Sequence, residues 1–249
     1  MFDFNGFIGP WPYWDSPYQT PEAILPLMDK CRIETLAVCS TRSIFWDWRQ
    51  GNEESLAAAG KYPKRFRGFV SISPILPPSD LIHHLRDYKR RRAAGIRLYP
   101  QQQSYSLTLN SGIAEILKTA QDMGLPVVLP IRVIMARGLP QLNPPAIEEI
   151  ISRSPKLPIV LSGVNFDTTL WAYDVMQRFK SVFLEISGLQ GFGAVAHAVE
   201  AVGARRILFG SGMPMLYPAC SVEKLRVAKV SEEQRSAIAE GNARQLLGI

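Results

Sequence analysis

The chain has few of the residues that build the commonest metal and disulfide sites. Its 249 residues include only three cysteines and three histidines, namely Cys31, Cys39, Cys220, His83, His84 and His197. An odd number of widely spaced cysteines argues against a disulfide framework or a thiolate zinc site. Two of the histidines are adjacent on one predicted helix, where neighbouring side chains diverge and do not face one ion. We therefore expect no metal centre and no cofactor.

Long apolar segments are also missing. No run of apolar residues approaches the roughly 18 that a membrane-spanning helix needs. The first residues, MFDFNGF, lack the basic segment and apolar core of a secretory signal. No membrane partner is expected, and the cytoplasm is the predicted location.

One basic stretch accounts for much of the formal net charge of +6. It runs from His83 to Arg92 and ends shortly before Gly95. Basic residues in the last turn of a helix interact favourably with the helix dipole. No aromatic stacking or groove-binding module accompanies the stretch, so it is interpreted as a solvated helix end, and no nucleic-acid partner is predicted.

Strand-like and helix-like segments alternate along the whole chain. Short segments rich in Val, Ile, Leu and Phe are typical of buried parallel strands; they are Phe2–Asn5, Thr35–Ser40, Phe66–Ile72, Ile96–Tyr99, Val127–Pro130, Pro158–Ser162, Val182–Ser187 and Ile207–Gly210. Helical periods lie between them, at Pro21–Lys30, Glu53–Tyr62, Ser79–Arg92, Ser111–Met123, Pro145–Arg153, Thr168–Phe179, Phe192–Val202 and Ser221–Ala228. About eight such units predict an α/β fold, a (β/α)₈ TIM barrel formed by one domain over residues 1–249.

Several segments together resemble the amidohydrolase superfamily, in its amidohydrolase-related branch of TIM-barrel hydrolases and decarboxylases. Residues 52–69 are similar to that branch's helix and third strand, and Gly95-Ile96-Arg97-Leu98-Tyr99-Pro100 to its fourth. The eighth strand is matched by Arg206-Ile207-Leu208-Phe209-Gly210-Ser211-Gly212-Met213-Pro214, and the terminal helix by residues 240–247. The resemblance implies the same barrel, with its site at the carboxyl ends of the strands.

The metal ligands of that family are not matched. The resemblance implies two histidines at the end of the first strand, where this chain has Asn5 and Phe7. It implies further histidines after strands five and six, where Leu129-Pro130-Ile131 and Leu161-Ser162-Gly163-Val164 stand, and an aspartate at the position of Gly212. Phe, Pro and Gly offer no metal-binding side chain, and Asn is a weak neutral ligand.

Two aromatic loops follow the first and second strands. They are Pro10–Tyr18, with Trp11 and Trp14, and Ser40–Arg49, with Trp46 and Trp48. One interpretation is an aromatic-lined pocket for a planar or apolar small molecule. The other is a lid or subunit contact that buries its own aromatic area, which leaves a homo-oligomer open.

Arg97 and Glu185 are the predicted catalytic residues. Arg97 stands in an apolar strand, where an unpaired cation is costly; it suits either a substrate carboxylate or a structural pair with Asp3 or Glu185. Glu185 is the best remaining general acid or base, because burial would raise its pKa. The predicted substrate-binding residues complete the site: Asn5, Arg42, Trp46, Trp48, Tyr99, Arg132, Asn165 and Ser211.

Three functional hypotheses follow from the sequence. The first is an amidohydrolase-like barrel without the usual metal ligands, which binds or acts on a small carboxylated or aromatic molecule. The second is an active hydrolase of a lactone, an amide or a related carboxylate that uses Arg97 and Glu185. The third is an interaction protein whose aromatic loops form a contact surface.

Overall fold

The fold is a ring of eight parallel strands that alternate with helices. The computed structural model describes residues 1–108, 110–133 and 142–249. Its strands pair in the order β1-β2-β3-β4-β5-β6-β7-β8. They are β1 (Phe2–Ile8), β2 (Thr35–Ser40), β3 (Phe66–Val70), β4 (Gly95–Arg97), β5 (Val127–Pro130), β6 (Ile159–Ser162), β7 (Val182–Glu185) and β8 (Ile207–Leu208). The predicted (β/α)₈ barrel is confirmed.

Helices connect successive strands around the outside of the ring. They are α1 (Pro21–Lys30), α2 (Arg42–Phe45), α3 (Trp48–Lys61), α4 (Pro78–Arg90), α5 (Ser111–Asp122), α6 (Pro144–Arg153), α7 (Thr169–Arg178), α8 (Ala194–Val202), α9 (Pro218–Arg226), α10 (Glu232–Ser236) and α11 (Asn242–Leu247). The sequence pattern did not predict α2, which is too short to show a helical period. Among the described residues, no helix combines the length and apolarity needed to span a membrane.

Hydrogen bonds between β1 and the segment that follows β8 join the two edges of the eight-stranded sheet. Phe4 N donates to Phe209 O at 2.8 Å, and Phe7 N donates to Met213 O at 2.8 Å. Between them, Gly212 N donates to Asn5 O at 2.8 Å. The segment that follows β8 therefore continues alongside β1 and places residues 209–213 at the same end of the barrel as Asn5.

β1 contains a one-residue bulge. Asp3 pairs with Leu36 but Gly6 pairs with Val38, so three steps on β1 face two steps on β2. An extra residue breaks the alternation of side chains along a strand. Side-chain directions on the two sides of this bulge therefore cannot be inferred from alternation in the sequence.

Two apolar layers hold the barrel together. A large cluster lies between strands and helices, with Ile24, Leu85, Ile113 and Ile147 from the helical side. A smaller cluster fills the ring and includes Phe2, Phe4, Phe69, Val128, Val160 and Leu208. Filling by side chains is the normal state of a barrel of this size. Apolar side chains thus occupy most of the interior of the ring.

Candidate functional site

A fully buried carboxylate, Glu185, lies at the carboxyl end of β7 with 0% of its surface exposed. Its Oε1 accepts from Ser162 Oγ at 2.7 Å, Gly163 N at 3.1 Å and Ser187 Oγ at 2.7 Å. Asn5 Nδ2 donates to the same oxygen at 3.2 Å, and Ser187 N donates to Oε2 at 2.7 Å. Such complete pairing is what a buried carboxylate requires, because an unpaired one would be strongly destabilising.

Glycine at position 210 makes room for this carboxylate. A Cβ atom built there would overlap Glu185 Oε2 and would lie 3.3 Å from Asn5 Cβ. Any larger residue at the end of β8 would therefore displace Glu185 or the strand. This close contact explains why the residue between Asn5 and Glu185 has no side chain.

Arg97 reaches the centre of the same cluster from β4 and is 1% exposed. Its Nη1 donates to Asn5 Oδ1 at 3.0 Å, while Nη2 donates to Phe4 O at 3.1 Å and Ala37 O at 3.2 Å. The guanidinium carbon lies 5.3 Å from the ring centre of Phe7 and 5.4 Å from that of Phe69. The Asn5 amide thus connects Arg97 to Glu185, and no direct ion pair between the two is present.

A second buried carboxylate, Asp3, joins β1 to the segment after β8. Its Oδ1 accepts from Ser211 N at 3.0 Å and from Asn5 N at 2.9 Å, and its Oδ2 accepts from Ser211 Oγ. Burial raises the pKa of Asp3 to about 7, although these hydrogen bonds lower it in part. The neighbouring charge of Glu185 adds a smaller upward shift to this pKa.

These groups form one unit, the throat cluster, which consists of Asp3, Asn5, Arg97, Ser162, Glu185, Ser187 and Ser211. A small cavity opens beside it towards the carboxyl ends of the strands, a region we call the mouth. The cavity is lined by Asn5, Phe7, Arg97, Tyr99, Val128, Pro130, Arg132, Val133 and Ser162. It measures about 10 Å³, which is room for about one water molecule. A larger ligand therefore has to lie above the throat, at the mouth.

Two polar atoms beside this cavity lack hydrogen-bond partners within the described part of the chain. They are Nε of Arg97 and the hydroxyl of Tyr99. Burial raises the pKa of Tyr99 well above its ordinary value, and the charge of Arg97 acts in the opposite direction. The Tyr99 hydroxyl therefore stays protonated and can donate a hydrogen bond.

Arg132 forms the edge of the cavity. It follows β5, its side chain is about one-third exposed, and Nη2 pairs with Asp167 Oδ2 at 2.9 Å. Asn165 lies in the same loop as Asp167, but its side-chain oxygen accepts from Phe166 N at 2.6 Å and does not line the cavity. Arg132 is thus a partly exposed cation at the edge of the cavity.

The aromatic residues of the two loops lie in different parts of the structure. Trp11 is buried, and its ring lies 5.3 Å from Phe45 and 5.6 Å from Trp14. Trp46 is 54% exposed and lies against Phe45 at 6.0 Å. Trp48 instead begins α3 and packs on His84 of α4 at 5.5 Å. The aromatic surface therefore includes Trp46 but not Trp48.

Arg42 also lies apart from the throat cluster. Its Nε donates to Glu54 Oε1 at 2.7 Å, and both side chains line a separate surface pocket with Gly9, Pro10 and Gln19. Of the residues predicted from the sequence, the structure brings together Asn5, Arg97, Tyr99, Arg132, Glu185 and Ser211. Trp46, Trp48, Arg42 and Asn165 lie elsewhere.

Three residues of the site have no counterpart among the sequence predictions. Ser162 and Ser187 donate to Glu185 from the ends of β6 and β7. Lys224 reaches in from α9, where Nζ donates to Ile186 O at 2.8 Å; burial lowers its pKa and the charge of Glu185 opposes that shift. The available signal was the position of both serines directly at the carboxyl ends of adjacent parallel strands.

The residues present do not fit the metal centre that the family resemblance implies. Asn5 uses both amide atoms on Arg97, Glu185 and Ser187, and a guanidinium in the throat would repel a divalent cation. In the described part of the chain, no three His, Cys, Asp or Glu side chains group in a way that could hold a metal ion. Residue 109 and residues 134–141, which lie outside that part, include none of these four residue types.

Comparison with known proteins agrees with the fold. A family model described as Amidohydrolase matches residues 48–249. No curated protein matches the sequence. An uncharacterized TIM-barrel protein from Bordetella bronchiseptica superposes with a TM-score of 0.78 at 17% identity, covering 100% of this chain and 99% of that one.

Two decarboxylases of aromatic acids have the same architecture. The 2,6-dihydroxybenzoate decarboxylase from Rhizobium gives a TM-score of 0.75 at 16% identity, covering 99% of this chain and 98% of that one. The 5-carboxyvanillate decarboxylase from Novosphingobium aromaticivorans, solved with manganese and 4-hydroxy-3-methoxy-5-nitrobenzoic acid, gives 0.79 at 14% identity, covering 100% and 96%. At these identities the likeness establishes the barrel alone.

Proposed function

Because the chain belongs to the amidohydrolase family, we propose that its mouth binds a small aromatic carboxylate and that it does so without a metal. The observation that carries this proposal is the buried guanidinium of Arg97. It supplies a fixed positive charge at the position where the family resemblance implies a metal centre. The donor atoms required for a divalent cation are replaced there by Asn5 and Phe7.

The surroundings of Arg97 support an acidic ligand. Arg132 adds a second, accessible guanidinium at the edge of the cavity, and guanidinium groups bind carboxylates through paired, charge-assisted hydrogen bonds. The rings of Phe7 and Tyr99 line the same cavity and offer apolar surface to a planar molecule. Solved structures with this fold carry aromatic acids such as 2,6-dihydroxybenzoate. This chemistry suits the carboxylated or aromatic ligand expected from the sequence.

The geometry favours binding over hydrolysis by Glu185. Both oxygens of that carboxylate are occupied by protein donors, and the side chain does not line the cavity. A general base must come within hydrogen-bonding distance of the proton that it removes. Glu185 would have to exchange one of these partners first, so its catalytic role stays a prediction.

The test is binding of 2,6-dihydroxybenzoate by isothermal titration in the presence of a chelator. We expect saturable binding that does not depend on added manganese or zinc. Arg132→Gln should weaken it about tenfold or more, because a charge-assisted hydrogen bond is worth about 1.5–3 kcal/mol. Resorcinol, which has the same ring without the carboxylate, should bind more weakly than the acid.

Arg178→Gln is the matched control, since Arg178 pairs with Glu148 and Asp174 on the outer surface of α7. It should bind the acid as the unmodified protein does. Binding that requires added metal would contradict the proposal. Binding that neither Arg132→Gln nor Arg97→Lys weakens would also contradict it.

An exposed aromatic surface favours a second function, contact between two copies of the chain. Tyr13, Trp14 and Trp46 are 48%, 43% and 54% exposed, and they are linked through the rings of Trp11 and Phe45. Exposed patches of this kind mark interaction sites. Light scattering should then show a dimer that Trp14→Ala with Trp46→Ala converts to a monomer, while Trp48→Ala should not. A monomeric unmodified protein would exclude this second function.

A further inference from the structure

Another pocket lies at the opposite end of the barrel from the mouth. We call it the basal groove; it is lined by Asp29, Arg32, Ile33, Glu34, Thr35, Lys64, Arg65, Arg67 and Arg244. These residues come from the end of α1, from the segments in which β2 and β3 begin, and from α11. Its volume of about 570 Å³ lies within the usual range for small-molecule sites.

Positive charge exceeds negative charge in the basal groove. Its lining contains five cationic side chains and two acidic ones. Arg65 is paired with Asp29 at 2.6 Å, and Arg244 lies 3.7 Å from Glu34 and 3.3 Å from Glu240, which is outside the groove lining. Within the described part of the chain, Arg32, Lys64 and Arg67 have no acidic partner. The two carboxylates are therefore already engaged by the other two arginines.

Arg67 is a partly buried cation for which the described residues provide no acidic partner. Its Nη1 donates to Pro63 O and, at 3.0 Å, to Phe66 O, and the side chain is only partly exposed. Burial and the nearby positive charge of Arg244 both lower the pKa of Arg67. A bound anion would offset the repulsion between these two guanidinium groups.

We propose that the basal groove is a binding site for a multivalent oxyanion, either a phosphate-bearing or a polycarboxylate small molecule. Arg67 and Arg244 would face the anion with planar donor groups, which match the oxygens of phosphate and carboxylate. Lys64 and Arg32 would add charge from the exposed edge. The site is independent of the mouth, because the two lie at opposite ends of the strands.

Isothermal titration of the full chain with pyrophosphate and, separately, with citrate tests the site at constant ionic strength. We expect saturable binding of at least one of them, and the tighter of the two identifies the source of the anion. Arg67→Gln and Lys64→Gln should each weaken binding, the former by about tenfold or more. Lys64 is exposed, so its variant keeps the test valid if Arg67→Gln does not fold.

Arg90→Gln serves as the control, since Arg90 is an exposed arginine of α4 that lies outside the groove and pairs with Asp87. It should leave the affinity unchanged. Absence of saturable binding by both anions would overturn the proposal. So would equal weakening by Arg90→Gln and the groove variants, because that result is expected of non-specific charge attraction.

Discussion

The two ends of the barrel handle charge in opposite ways. In the throat cluster, Asp3 and Glu185 are fully buried, and each of their oxygens accepts at least one hydrogen bond. In the basal groove, three cations lack an acidic partner within the described residues and lie near solvent. Burial makes an unpaired charge too costly to keep, whereas solvent screening permits an excess of one sign. The difference separates a rigid site from one that is open to an incoming anion.

Removal of the Glu185 carboxylate should cause the largest loss of stability. Glu185→Ala leaves the donors of Ser162, Ser187 and Asn5 without their acceptor. We expect a loss of about 3–5 kcal/mol in the free energy of unfolding, measured by urea denaturation.

The matched surface variant is Glu53→Ala. Glu53 accepts two hydrogen bonds from Arg91, each of 2.6 Å, but its side chain is 56% exposed. Exposed ion pairs contribute at most about 1 kcal/mol. Equal losses in the two variants would show that burial does not distinguish them.

The pH dependence of stability should follow the titration of the Asp3 carboxyl group. In the unfolded chain this carboxyl releases its proton near pH 4, but its pKa in the folded protein is about 7. Between these values the folded state binds more protons than the unfolded state, so stability falls as the pH rises from about 4 to about 7. The fall should be at most about 4 kcal/mol, since one pKa unit corresponds to about 1.4 kcal/mol.

Asp3→Asn should remove this fall, because the amide oxygen can still accept from Ser211 N and Asn5 N while no proton is exchanged. Asp174→Asn, on the exposed side of α7, should keep the slope of the unmodified protein. Denaturation midpoints across the pH range give both slopes. A slope that survives in Asp3→Asn would assign it to another group.

The smallest effect is expected in the basal groove. Lys64→Gln removes an exposed cation that has no acidic partner, and substitutions of this kind change stability by about 0.5 kcal/mol or less. Any gain in stability should shrink as salt is added, because screening already weakens the repulsion. A large loss would instead show that Lys64 holds the fold together.

The order of strands and helices was predictable because each element carries its own pattern. Thr35–Ser40, Val127–Pro130 and Pro21–Lys30 were predicted with the bounds that the structure shows. The bulge in β1 was not predictable, because pairing with β2 and with Phe209–Met213 creates it. Local periodicity contains no information on such contacts.

The candidate site was predictable only in part. Arg97 and Glu185 stood out as charged residues in apolar strands, and both lie at the centre of the throat cluster. Ser162 and Ser187 did not stand out, since serine at the end of a strand is an ordinary terminator. Trp48 was grouped with the other aromatic residues by its position in the chain, but it begins α3 and packs on His84.

The joining of β1 to the segment after β8 also constrains how the chain folds. Asp3 bonds to Ser211 across 208 positions, and Asn5 bonds to Glu185 across 180. During synthesis, these partners of the first strand leave the ribosome long after the strand itself. Contacts of such long separation cost the most chain entropy and form late. A nascent chain that stops before residue 211 therefore lacks both the donors to Asp3 and the closing contacts of Gly212 and Met213 with β1.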